Sequence, residues 1–240
     1  MSISRLSHAA VKHIRSLHRK KFRQRYGQFI AEGAKVVRDM VDGGMVCERL
    51  VVTDGVEPPI TTPAAEVTDA RTMGSISTLT TPPGILGVFA VPAPVHDLPG
   101  RLVAVDGWRD PGNLGTLIRT MDWFGWTALV VSPDTVDVFN PKVVQATMGS
   151  LARVHVVERN LDDLADTGHT MLGADMDGAP CGSRPSDERI ALVLGSESHG
   201  LSSSVRRQLD EVVSVPRSGG GESLNAAVSA AILLDRLSGR

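Results

Sequence analysis

From residue 101 onward the sequence keeps one rhythm, a short run of Val, Leu, Ile and Ala followed by a segment with helical spacing. "RLVAVDG" precedes "NLGTLIRTMDWFG", "TALVVSP" precedes "PKVVQATMGSLA", and "RVHVV" precedes "LDDLAD". "HTMLGADM" reads as a further strand, "RIALVLG" precedes the helix "SSSVRRQL", and "VVSVP" leads to a terminal helix. Strands without polar alternation need cover on both faces, and helices between them supply it. The rhythm therefore predicts an α/β fold with a mostly parallel sheet over residues 101–240. In the terminal helix, Leu224, Ala227, Val228, Ala231, Ile232, Leu234 and Leu237 wrap most of the cylinder, so this helix must also be covered.

Residues 1–92 follow another pattern. Leu6, Ala10, Ile14 and Leu17 lie on one face of a helix predicted over 4–25, with basic residues elsewhere. A strand at Phe29–Ala31, a helix near Gly33–Met40 and strands at 48–53 and 85–92 follow. The stretch 54–84, rich in Pro, Thr and Gly, admits one short helix around 63–73. "PAPVHDLPG" (92–100) is stiffened by proline, which sets an N-terminal α/β domain at 1–92, a linker at 93–100 and a second domain at 101–240.

Charge divides the chain as well. Residues 1–40 hold ten Lys or Arg against Glu32 and Asp39, a balance of +8, although the whole chain carries a net charge of -2. A basic arm on an acidic body suits a polyanionic partner met by one end of the molecule, although a solvated helix face is the plainer reading of the same residues. Two cysteines, Cys47 and Cys181, make neither a disulfide framework nor a metal cluster, so no metal is expected. No apolar run approaches the roughly 20 residues needed to cross a bilayer, so no membrane partner and a cytoplasmic location are expected.

In open parallel sheets, ligands sit beyond the carboxyl ends of the strands. Four segments fall there: 106–120, 139–150, 194–202 and 215–225. In the first, Asn113 is placed either to cap the following helix or to act chemically, and Gly125 stops that helix. Leu114, Leu117, Ile118 and Met121 turn inward, whereas Arg119, a permanent cation, suits a phosphate better than a core. "GSESHG" (195–200) has neither dinucleotide-binding nor P-loop spacing, which leaves a tight loop with Glu197 as its fixed charge and His199 as a surface residue. In Gly219–Asn225, the glycines permit tight turns, Glu222 suits the positive end of the next helix, Ser223 is a natural cap and Asn225 points into the same mouth.

Together and in this order, "DPGNLGTLIRT", "NPKVVQATMGSLARV", "LVLGSESHGLS" and "VPRSGGGESLNAAVSAAILL" resemble the SpoU (TrmH-like) branch of the SPOUT RNA 2'-O-ribose methyltransferases. The resemblance covers about 101–240. The head, with "FIAEGAKVVRDMV", is similar to the small ribosomal-protein-like substrate-binding domain of that family. Arg217 and Ser198 depart from the common pattern, which has Met and Gly there.

The resemblance implies a deep trefoil knot and an S-adenosylmethionine-dependent enzyme that methylates a ribose 2'-hydroxyl, with ribosomal RNA of the 23S type favoured over tRNA. A non-catalytic RNA-binding protein with a degenerate cofactor pocket is the rival from another class. The implied catalytic set is Asn113, Arg119, Glu197, Ser223 and Asn225, with Glu197 able to pair with Arg119. The implied cofactor contacts are Leu194, Gly195, Val215 and Leu224, with Met148 and Gly149 nearby. The family is usually homodimeric.

Overall fold

The computed structural model describes residues 4–95, 97–184 and 188–238, so His96 of the expected linker lies outside it. The chain sorts into two compact units, 1–93 with 137–152, and 94–136 with 153–240.

The first unit runs β1 (Ser4–Arg5), α1 (His8–Ser16), α2 (Lys20–Tyr26), β2 (Gln28–Glu32), α3 (Ala34–Asp42), β3 (Cys47–Thr53), β4 (Ala65–Thr68), α4 (Ala70–Ile76) and β5 (Ile85–Ala90). Its sheet has the order β1-β4-β3-β5-β2. β4 is parallel to β1 and β3, whereas β5 is antiparallel to β3 and β2. Ile14, Leu17, Ile30, Val51, Met73, Ile76, Leu86 and Val88 form its core.

The single helix expected over 4–25 is divided. Residues 4 and 5 pair with β4, and the Ser7 hydroxyl starts α1 by accepting the Ala10 N–H at 3.2 Å. A bond from the Leu17 N–H to the Ile14 carbonyl tightens the end of α1, and the His18 ring reaches the Ile76 carbonyl at 2.8 Å. The helix expected around 63–73 is likewise replaced by β4 and α4. Asp69 accepts the Thr72 N–H at 2.8 Å and fixes the start of α4 at residue 70, while the four residues before pair with β3.

In the second unit follow β6 (Arg101–Asp106), α5 (Pro111–Phe124), β7 (Ala128–Val131), β8 (His155–Glu158), β9 (Thr170–Pro180), β10 (Ile190–Gly195), α7 (Ser203–Arg206), β11 (Glu211–Ser214) and α8 (Ala226–Leu237). "LDDLAD" forms a 3-10 segment, Leu161–Thr167. The strand order is β11-β9-β10-β6-β7-β8, and every neighbouring pair is parallel. One face packs Leu102, Ala104, Ala128, Val130, Ala191 and Val193 against Leu161, Leu164, Leu201 and Val205.

Helices α5 and α8 lie side by side and run the same way. The Asn225 amide meets Asn113 near their starts, and the Trp126 indole donates to the Ser238 hydroxyl at 3.2 Å near their ends. Leu114, Leu117, Ile118 and Met121 are buried as expected, with Ala227, Ala230, Leu233, Leu234 and Leu237 of α8. The cover expected for α8 is incomplete. Val228 is 48% exposed and Leu224 50%, and on α5 Trp123 is 78% exposed.

Residues 137–152, read from sequence as part of the second domain, group with the first unit. Asp137 pairs with Arg23, the Phe139 ring lies 4.9 Å from that of Phe29, and Val143, Val144 and Thr147 of α6 (Pro141–Thr147) are buried. Contacts of this kind join residues far apart in the chain and leave no local sequence trace.

Candidate functional site

The carboxyl ends of β6 and β10 are adjacent, with Gly195 opposite Asp106, and the polar segments gather beyond them. After β6 the chain turns at Asp106–Asp110. The Trp108 indole donates to the Gly195 carbonyl at 2.8 Å, and the Asp106 carboxylate accepts the Ser202 N–H at 2.7 Å. Both ties lock the 196–202 loop to the β6 turn. A Cβ on Gly195 would stand 2.2 Å from the Gly200 carbonyl carbon, so only glycine fits where the loop folds back. Ser196 and Gly200 close that loop with two backbone bonds of 3.1 and 2.8 Å.

The two helix starts differ from the sequence reading in the identity of their caps. Asp110, not Asn113, caps α5, accepting the Asn113 N–H at 2.7 Å, with Pro111 in the first turn. This leaves the Asn113 side chain free to work elsewhere. Asn225, not Ser223, caps α8, its Oδ1 accepting the N–H groups of Ala227 and Val228 at 3.0 and 3.3 Å. Ser223 is exposed and makes no hydrogen bond among the described residues.

That capping bond fixes the rest of the network. Backbone N–H groups only donate, so Oδ1 of Asn225 must face them and Nδ2 must face outward. Nδ2 donates to Asn113 Oδ1 at 2.9 Å and reaches Glu197 Oε1 at 3.3 Å. Asn113 then presents its own Nδ2 to Glu197 Oε1 at 2.8 Å. The same oxygen is 3.4 Å from the Ala226 N, which puts the Glu197 carboxylate at the positive end of α8. Glu197 thus pairs with the two asparagines, not with Arg119.

Arg119 is exposed, six residues along α5 from Asn113, and makes no hydrogen bond or ion pair among the described residues. Leu194 is buried at the end of β10, Val215 is half-buried just past β11, and Leu224 is exposed just before α8. Between them Gly219, Gly220 and Gly221 have open space around them, and Arg217 Nη1 donates to the Gly221 carbonyl at 3.1 Å. Met148 and Gly149 belong to the first unit. There Met148 ends α6 at φ 51, and a Cβ on Gly149 would stand 2.6 Å from that of Asp39.

Sequence reasoning missed Asp106, Trp108 and Asp110. The signal for Asp110 is an acidic residue directly before a first-turn proline, which outranks an asparagine three positions after it. Trp108 and Asp106 act through partners some 90 residues away, which spacing does not reveal. Among the described residues, no group of three or more His, Cys, Asp or Glu side chains is gathered as a metal site needs, and no helix is long and apolar enough to cross a membrane.

Comparison with known proteins gives this arrangement a context. Residues 100–235 match the SpoU rRNA Methylase family, and residues 8–87 match the MRM3-like substrate binding domain. The chain is 32% identical to the 23S rRNA (guanosine(2553)-2'-O)-methyltransferase RlmP of Bacillus subtilis, over 95% of this chain and 96% of that one. A structure from Porphyromonas gingivalis, assigned to the TrmH family of RNA methyltransferases, superposes with a TM-score of 0.86 at 37% identity, covering 97% of this chain and 98% of that one. An AdoMet-bound rRNA methyltransferase from Sinorhizobium meliloti superposes with a TM-score of 0.80 at 29% identity, covering 98% and 95%. The parallel sheet with a separate N-terminal domain, the ordered polar segments at its carboxyl edge and these matches lead to one assignment: the chain belongs to the SpoU rRNA methylase family.

Proposed function

We propose that this protein transfers a methyl group from S-adenosylmethionine to a ribose 2'-hydroxyl of ribosomal RNA. The observation that carries the reading is an unpartnered, exposed arginine on the helix whose Asn113 is bonded to Glu197 and Asn225. The RlmP and Sinorhizobium relatives, both rRNA methyltransferases by name, support it.

The residues at the strand ends fit the methyl donor. Val215 and Leu224 offer apolar surface, Leu194 and Gly195 bring backbone to the strand end, and the open glycines at 219 and 220 leave peptide groups free to face a ligand. S-adenosylmethionine supplies an electrophilic methyl on its sulfonium. Arg119 binds the phosphate beside the acceptor ribose and holds the 2'-oxygen, favouring loss of its proton. The guanidinium has donors and no acceptor, so it does not take the proton, which leaves to solvent. Asn113, Ser223 and Asn225 orient the ribose, and Glu197 holds the two asparagines in place. Positioning of the reacting atoms supplies most of the effect.

In this reading residues 1–92 present the RNA, residues 101–240 carry the chemistry, and the segment from 195 onward is threaded as a trefoil knot. The exposed Trp123, Leu224 and Val228 on the α5–α8 pair are covered by a second copy in a homodimer, which acts in the cytoplasm. Calorimetric titration of S-adenosylmethionine beside tritium transfer to rRNA tests the core of it. Arg119→Ala is expected to keep cofactor binding and lose transfer, and an Arg119→Ala enzyme of full activity would remove the mechanism.

A further inference from the structure

The first 31 residues contain eight Lys or Arg and no carboxylate. One of the eight, Arg23, is buried and neutralised by Asp137. The other seven, Arg5, Lys12, Arg15, Arg19, Lys20, Lys21 and Arg25, are all exposed, and none forms an ion pair among the described residues. Such a surface attracts phosphate, yet charge alone says nothing about how a nucleotide is seated.

The chain's one tyrosine stands in this field. Tyr26 closes α2 and is 41% exposed, in a sequence with only 4% aromatic residues. Its ring is held from below. The His13 ring lies 4.7 Å away at 58°, and the Phe22 ring is stacked at 6.1 Å with 14° between planes. His13 is itself fixed, because Nε2 lies 2.6 Å from Gln28 Oε1, whose amide in turn donates to Glu48. The Arg25 guanidinium sits 5.6 Å from the Tyr26 ring centre. Gly27, left-handed at φ 61, ends the helix directly after Tyr26 and turns the chain into β2.

A planar cation over the Tyr26 ring and free cations on and between the two helices α1 and α2 match the two characters of a nucleotide, one flat and one anionic. We propose that Tyr26 is a stacking platform for an unpaired RNA base, which packs on the ring face now covered by the exposed Arg25 guanidinium, and that Lys12, Arg15, Arg19, Lys20 and Lys21 hold the flanking phosphates. The ligand class is single-stranded or looped RNA rather than a duplex, whose stacked bases cannot reach a side-chain ring. This site rests on the reading of the protein as an RNA methyltransferase and deepens it.

Fluorescence anisotropy tests it with the full chain, a labelled single-stranded RNA dodecamer and a duplex of equal length. Tyr26→Ala is expected to weaken dodecamer binding by about five- to a hundred-fold, with the duplex unchanged, and Tyr26→Phe to bind as wild type. Lys20→Ala with Lys21→Ala is expected to weaken both RNAs and to lower the slope of log K against log salt, which Tyr26→Ala leaves alone. If wild type binds the dodecamer and Tyr26→Ala binds it equally well, the platform is overturned while the methyltransferase reading stands. If wild type binds neither RNA, or prefers a polyglutamate competitor, both fall together.

Discussion

The two units differ in whether they bury a charge at all. The first does, beside its seven open cations: Arg23 is 4% exposed and bonds Asp137 at 2.5 and 2.9 Å and the Leu17 carbonyl at 2.8 Å. Glu32, equally buried, accepts from Ser77 and from the backbone and hydroxyl of Thr78. In the second unit no Asp, Glu, Lys or Arg among the described residues is buried, and polar side chains collect at the strand ends instead. There they divide again, into a trio that satisfies itself and an arginine that does not. The difference teaches how to read a charge by its partners. One whose bonding capacity is filled holds the fold, and one left open faces something the chain does not contain.

The largest effect that would sharpen this contrast is on the filled side. Arg23→Ala strands the Asp137 carboxylate, and urea unfolding should show a loss of about 3–5 kcal/mol. Next comes the open side, where Arg119→Ala should lower kcat/KM for methyl transfer by about 100- to 1000-fold. Its stability should stay within about 0.5 kcal/mol of wild type. A comparable loss of stability in both variants would break the distinction.

The trio lies between these two. Asn225→Ala removes the α8 cap, for about 1 kcal/mol of stability. It also frees Asn113, so transfer should fall further than stability does. Asn225→Asp keeps a capping oxygen but sets a carboxylate against Glu197, and it should retain more stability than the alanine variant while recovering no activity.

The smallest effect concerns His169, whose ring is buried between Thr167 and the Pro99 carbonyl. Burial, with the Arg189 charge adding to it, holds its pKa below the usual 6.5 against the opposing bond to Pro99. The unfolded chain therefore takes up the proton first, and stability should decline as pH falls through 6.5. His169→Gln should flatten that part of a pH-stability curve measured by thermal unfolding.

The sheet of the second unit was legible because its strands are apolar on both faces, a pattern that few other structures satisfy. Asn113, Glu197 and Asn225 could be singled out because each sits just past such a strand or at a helix start. Which residue caps was less legible. Asp110 and Asn113, like Ser223 and Asn225, offer two capping side chains within one turn, and the backbone path decides between them. β4 leaves little trace because "AEVT" alternates over only four residues, and its strand character comes from β3 and β1 on either side. Segment 137–152 joined the first unit through Asp137 and Phe139, each matched to a residue more than 100 positions away.

The order in which the amides are oriented has a consequence for the protein's history as well as its shape. Orientation begins at the first turn of α8 and passes through Asn225 to Asn113 and on to Glu197. During synthesis, residues 226–237 leave the ribosome after every other described helix and strand. Until they dock, the backbone at 110–113 and 195–200 is already held by Asp110, Trp108 and Asp106, but the Asn113 and Glu197 side chains lack the amide against which they align. An intermediate that has formed its sheet but not seated that helix therefore has the loops in place and the side chains of the polar centre unordered.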